Sequence, residues 1–263
     1  MNTLNKILII CFLITGVSNL NAQKLNFDVK TGDQVCITNV LGEIKVEEHS
    51  GSDIIVETNY KKQIPSRAKG LKAIYSNGLD DNTNFGIHSS KEGKVLTLTG
   101  LGKETKHKNY LFKIPKGVNL KIDCKSPFAS SNPIVVRNFS SEIEINTLMP
   151  SVKLDQITGP VILDLINGSV DIVFSKLNQK SPVSISAING NVDITMPSET
   201  SANLELSSIN GEFYTDFDVK MDQKEKKGLS YAGGGNKIKT QINGGGVKFA
   251  VKTINNNIYL RKK

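Results

Sequence analysis

The sequence predicts an all-β protein, a β-solenoid-like stack of short strand–turn repeats of about 21–22 residues. Three observations predict it. Helical periodicity is almost absent after residue 22. Short runs alternate apolar and polar residues between Gly, Asn, Pro or Ser. One turn-plus-strand unit also returns at a nearly constant stride.

The alternation is clearest in GEIKVEE (42–48), DIIVETNY (53–60), KVLTLTG (94–100), YLFKIP (110–115), VNLKID (118–123) and SEIEINT (141–147). Successive side chains of a strand point to opposite faces, so each run buries one face and wets the other.

The repeat is LINGSVDIV (165–173), AINGNVDIT (187–195) and SINGEFYTD (208–216), with looser copies QINGGGVKF (241–249) and TINNNIYL (253–260). Asn189 follows Asn167 by 22 residues and Asn210 follows Asn189 by 21. Half-period copies, LMPSVKL (148–154) and ITGPVIL (157–163), lie before them. One such unit cannot bury its apolar face alone, whereas rungs stacked at about 4.8 Å can. Asn-Gly turns also serve hairpins, but the constant stride favours stacking. Ile172, Ile194 and Thr215 are then expected on adjacent rungs, with Val170, Val192 and Phe213 as a neighbouring inward column.

The Asn-Gly pairs Asn167-Gly168, Asn189-Gly190, Asn210-Gly211 and Asn243-Gly244 are read as a structural turn ladder, with Gly190 at positive φ. Asp171 and Asp193 fall at equivalent positions, with Lys153 before and Tyr214 after. Two like charges side by side need solvent, a counter-charge or a cation. Two acids are too few for a calcium cage. The plain reading is a solvated outer face.

At the N-terminus, Lys6 precedes the apolar run Ile7 to Val17, and polar SNLNAQ follows. That order is a secretory leader over residues 1–22, with Gln23 as the mature end, and the run is short for a bilayer span. No second such run follows, so no transmembrane anchor is expected in the mature chain. Residues 23–125 form an N-terminal all-β portion and 126–263 the repeat portion, continuous with it. A charged, Gly-rich loop projects at 217–238, and residues 61–92 form a second excursion. Cys11 leaves with the leader. Cys36 and Cys124 either form a disulfide, as export permits, or remain buried thiols.

The formal net charge is +8. It suits an anionic glycan or lipopolysaccharide, and a surface protein is a further candidate partner. The basic residues are spread out and rarely interleave with aromatics, however, so the charge reads first as a solvated surface and no nucleic-acid site is expected. His49, His88 and His107 stand in no metal-ligand spacing, and Gly233 to Gly235 lack a phosphate-loop frame. No catalytic, metal or cofactor residues are expected.

The leader, the strand ending in IPKGVNLKI, the repeated ING-x-[VF] turns and the terminal GGGNKIKTQINGG…TINNNIYLRK together resemble the bacterial putative-adhesin families. These are domains of unknown function related to the head GIN domain of auto-transporter adhesins. The resemblance covers about residues 35–263 and is strongest over 110–260. It implies a solenoid-like fold displayed in the envelope or outside the cell, and no catalytic residues. The chain departs from the pattern at Asn256, where Gly is usual, and at the extra glycine of Gly244–Gly246, which bears on the register of the last two rungs. The function expected is an exported, non-enzymatic envelope or surface protein, an adhesin or scaffold. The alternatives are a carbohydrate-active β-helix enzyme, needing carboxylates gathered in one groove, and a periplasmic accessory or sensor protein.

Overall fold

The computed structural model describes residues 23–71, 73–219 and 236–263. The leader (1–22), Gly233–Gly235 and most of the expected loop at 217–238 lie outside the described residues.

Along the first half run β1 (Gln23–Asp28), β2 (Gln34–Thr38), β3 (Glu43–His49), β4 (Asp53–Thr58), β5 (Ile87–Glu92), β6 (Val95–Gly100), β7 (Asn109–Pro115), β8 (Asn119–Cys124) and β9 (Ile134–Arg137). Then come β10 (Ile143–Thr147), β11 (Val152–Ile157), β12 (Val161–Leu165), β13 (Val170–Phe174), β14 (Val183–Ala187), β15 (Val192–Met196), β16 (Ala202–Ser208) and β17 (Phe213–Thr215). The last three are β18 (Asn236–Ile242), β19 (Val247–Thr253) and β20 (Ile258–Lys262). Residues 236–238 thus begin a strand, and so do residues 87–92 of the second excursion.

These strands form two sheets of ten. The first runs β1-β4-β7-β3-β9-β11-β13-β15-β20-β17 and the second β18-β16-β19-β14-β12-β10-β8-β2-β6-β5. From β8 to β15 the chain alternates strictly between them, one strand to each sheet per rung, and every neighbouring pair is parallel. Among the described residues, antiparallel pairing occurs only at the ends, where β1, β4 and β5 cap one side and β18 the other. The protein is a two-sheet β-solenoid-like stack.

The sequence dictates which face goes inward. In β8, Leu120, Ile122 and Cys124 are buried, and in β13 Val170, Ile172 and Phe174. Columns of such residues from both sheets merge into one core that runs past residue 125 without a break. Phe174 of the first sheet meets Phe249 of the second edge to face at 6.0 Å. Offset or edge-on contacts of this kind add to the area term.

At both ends the spatial order departs from chain order. The rung made by β2 and β3 lies between the later rungs β6–β7 and β8–β9. The last rung, β19–β20, lies between β14–β15 and β16–β17. This corrects the expected columns. Ile172 does face Ile194, but the next residue is Leu260, and Thr215 comes beyond it. Likewise Val170 and Val192 are followed by Ile258 before Phe213. Ile258 and Leu260 carry the same inward alternation as Val192 and Ile194, so the inserted rung continues the buried columns.

Candidate functional site

Where the strands of the second sheet end, the backbone turns the corner in a residue pair of fixed type. Stacked in spatial order these are Ile166-Asn167, Ile188-Asn189, Ile254-Asn255 and Ile209-Asn210. Backbone ladders continue through the turn, with Asn189 N donating to Ile166 O (2.9 Å), Asn255 N to Ile188 O (3.1 Å) and Asn210 N to Ile254 O (2.8 Å). The side chains form a parallel ladder. Asn189 Nδ2 donates to Asn167 Oδ1 (2.9 Å), Asn255 Nδ2 to Asn189 Oδ1 (2.6 Å) and Asn210 Nδ2 to Asn255 Oδ1 (2.8 Å). The two inner amides, Asn189 and Asn255, each donate and accept, so the column uses its own polar groups. Sequence reasoning missed Asn255, although TINNNIYL was recognised as a repeat.

The glycines serve a purpose other than the expected one. None of Gly168, Gly190 and Gly211 has a left-handed φ. A Cβ at any of them would instead strike a backbone carbonyl of the adjoining turn, that of Pro150, Gly168 and Asn256 respectively. The turns stack too closely for a side chain. Asn243 and Gly244 stand outside this column altogether. They form the β18–β19 turn with φ of +47° and +83°, and Asn243 Nδ2 donates to Ser198 O and Thr200 O, both at 2.8 Å. The left-handed backbone sits there, where the chain reverses.

The cysteines are not bridged. Both are free thiols, and they lie on opposite faces of the second sheet. Cys36 faces outward beside Lys121, while Cys124 points into the core with its Sγ 3.6 Å from Val40 O. Burial pushes both thiols above their ordinary pKa. Export permits a bridge, but strand parity keeps these two apart.

On the outer face of the first sheet, one column runs Lys153, Asp171, Asp193, Tyr259, Tyr214. Tyr259 is interposed by the inserted rung, so Tyr214 does not follow Asp193 directly. The two carboxylates are separately neutralised. Lys153 Nζ lies 3.6 Å from Asp171, and Arg261 grips Asp193 from Nε (2.8 and 3.1 Å) and Nη2 (2.8 Å). Such fork-on-carboxylate pairing is the strong form of ion pair, and it raises the Arg261 pKa further.

Beside this pair the two tyrosine rings stack at 5.2 Å and 12°. The Arg261 guanidinium carbon lies 5.5 Å from the Tyr259 centroid. Asn257 Nδ2 donates to the Tyr259 hydroxyl at 3.0 Å, and the Tyr214 hydroxyl donates to Glu212. That bond to a carboxylate raises the Tyr214 pKa. Tyr214 belongs to the last strand of the first sheet and is 47% exposed. Tyr214, Thr215, Asp216, Tyr259, Leu260 and Arg261 line a shallow depression of about 270 Å³. The arrangement offers an aromatic face flanked by fixed donors and acceptors, which is equipment for binding. Tyr259 and Arg261 were missed in the sequence; the signal was there, since IYLR continues the alternation of a rung.

Among the described residues, no three or more His, Cys, Asp or Glu side chains are placed to hold a metal ion. His49 bonds the carbonyl of Asp53, and His88 contacts Asp80, far from the aromatic column. Among the described residues, no helix is long and apolar enough to cross a membrane.

The chain matches no curated protein. A solved structure, described as a putative cell adhesion protein from Clostridium sporogenes, is similar with 9% identity and a TM-score of 0.45, covering 92% of this chain and 100% of its own. The family model of the Toastrack domain DUF4097 matches residues 15–248, nearly the whole stack, and the chain belongs to that family of unknown function.

Proposed function

We propose that the chain is an exported, non-enzymatic surface or envelope protein, an adhesin or scaffold, that engages a glycan at the Tyr214–Tyr259 platform. The observation that carries this reading is the stacked tyrosine pair, with Tyr214 exposed and Tyr259 half-buried, flanked by Arg261 and Asp216. An aromatic face bears negative potential, and a sugar ring offers a face of weakly positive C–H bonds, so the two stack. Arg261 has five N–H donors, of which Asp193 takes two, and the rest remain for hydroxyl or acidic groups of a sugar. The net charge of +8 favours an acidic glycan.

Two further points support the non-catalytic part. An enzyme of the β-helix type needs free carboxylates in one groove, whereas Asp171 and Asp193 are each held by a cation. Tyr214 and Tyr259 lie directly opposite each other on the parallel strands β17 and β20, whose register fixes their spacing. Export is supported by the leader at residues 1–22.

The test is a glycan array probed with the mature chain and with Tyr214→Ala, alongside fractionation of cells expressing the full sequence. Binding to acidic saccharides that falls at least tenfold in Tyr214→Ala, with the processed chain outside the cytoplasm, supports the reading. Equal binding by both proteins removes the platform from it. An unprocessed cytoplasmic product removes export.

A further inference from the structure

Far from the tyrosine platform, where β2, β6 and β8 leave the second sheet, lies a groove of about 680 Å³. Its floor includes Leu41 and Leu101, which are buried. Its walls include Ile74 and Phe128, which are 91% and 67% exposed. Large apolar side chains left this open along one depression stay in contact with water, a state that an apolar occupant relieves.

The charge at the groove is one-sided. Lys103 and Lys106 line it, and no Asp or Glu does. Neither lysine has an ion-pair partner among the described residues. Lys106 Nζ stands 5.9 Å over the Phe128 ring instead. The nearest acid in sequence, Glu104, is engaged by the Tyr60 hydroxyl at 3.3 Å. The volume lies in the range of small-molecule sites, in which an apolar lining with a few convergent polar groups is usual.

We propose that this groove binds a single anionic amphiphile, an acyl chain carrying a carboxylate or phosphate head. The chain lies between Ile74 and Phe128 over Leu41 and Leu101, and the head sits against Lys103 and Lys106. The proposal does not depend on the glycan reading, since it uses different residues in a different part of the stack.

The experiment is calorimetric titration of the mature protein below micelle-forming concentrations with three probes: oleate, its uncharged monoglyceride, and hexanoate. Oleate is expected to bind at least tenfold more tightly than either of the others. Phe128→Ser with Ile74→Ser is expected to abolish oleate binding. Lys103→Ala with Lys106→Ala is expected to reduce it to the level of the monoglyceride. The walls and lysines are exposed, so unchanged melting of the variants checks that the fold is intact. Absent oleate binding overturns the proposal, as does oleate binding that neither double variant alters. Flotation with anionic vesicles is the remaining arm. Capture by vesicles without binding of monomeric oleate overturns it in favour of surface docking.

Discussion

Gly190 lies against the carbonyl of Gly168 so closely that a Cβ at position 190 would stand 2.8 Å from the Ser169 Cα and nearer still to that oxygen. The atom to be displaced is backbone, which cannot swing aside. Gly190→Ala is therefore expected to destabilise by about 1–3 kcal/mol, the range for forced overpacking. Gly93 is the contrast. It has φ of +56° with nothing within 4 Å of its missing Cβ, so Gly93→Asn, which tolerates that conformation, is expected to be nearly neutral. Thermal melts on the two variants check this, and equal melting for Gly190→Ala and the parent would refute the stacking account.

Val192 is fully buried between Val170 and Ile258 in the middle of the first sheet. Val192→Asp places an unpaired charge in an aliphatic column and is expected to cost several kcal/mol. Lys153→Ala, at an exposed position of β11 in the same sheet, is expected to stay within about 0.5 kcal/mol of the parent. Urea midpoints of the three proteins make the comparison.

Much of this was legible in the residues themselves. Strand positions follow from alternation because one side of every strand faces the core, and the stride announced the stack. The insertion of β19–β20 was not legible. Ile194 can pack against Thr215 or Leu260 equally well as far as local pattern goes, and only the non-local pairing decides. Glycine was ambiguous for another reason: lacking a Cβ serves a left-handed turn and a tight carbonyl contact alike. The cysteines were readable in principle, since Cys36 alternates with inward Val35 and Ile37 whereas Cys124 shares the parity of Leu120 and Ile122. Of the site, Tyr214 could be placed on the outer column, but its neighbours Tyr259 and Arg261 needed the inserted rung. Ile74 and Phe128 lie in irregular segments, where no periodicity marks a residue as facing its partner.

Because they face opposite ways, Cys36 and Cys124 are expected to remain thiols even under oxidising conditions. Thiol titration of the denatured chain from residue 23 onward should give two groups, and its mass should be the same with and without reductant. A mass difference of about 2 Da, from two hydrogens, would show a bridge and contradict the sheet register.

Glu205 of β16 is clamped between Lys248 of β19 (2.9 Å) and Lys239 of β18 (3.1 Å). Hydrogen bonds from Lys248 and then Lys239 lower its carboxyl from the ordinary 4.5 to about 2. The folded-state value lies below the unfolded one, so the stabilisation is complete above about pH 4.5 and is lost as pH falls towards 2. The melting temperature of the parent should therefore drop more steeply across that window than that of Glu205→Gln. High salt should narrow the difference, because the group lies at the surface. Parallel pH profiles for the two proteins would remove the clamp from the account.

The rung formed by β19 and β20 follows β16 and β17 in the chain, yet it lies between them and β14–β15. A chain folding in order would complete β16 and β17 first and meet β14 and β15 as an open edge. Pairing there satisfies the alternation but closes the gap that β19 and β20 must fill. Ordered assembly then requires the β16–β17 segment to wait, or to detach, until β19 and β20 take their places. Those two strands act as a latch, and their arrival commits this end of the stack to its finished shape.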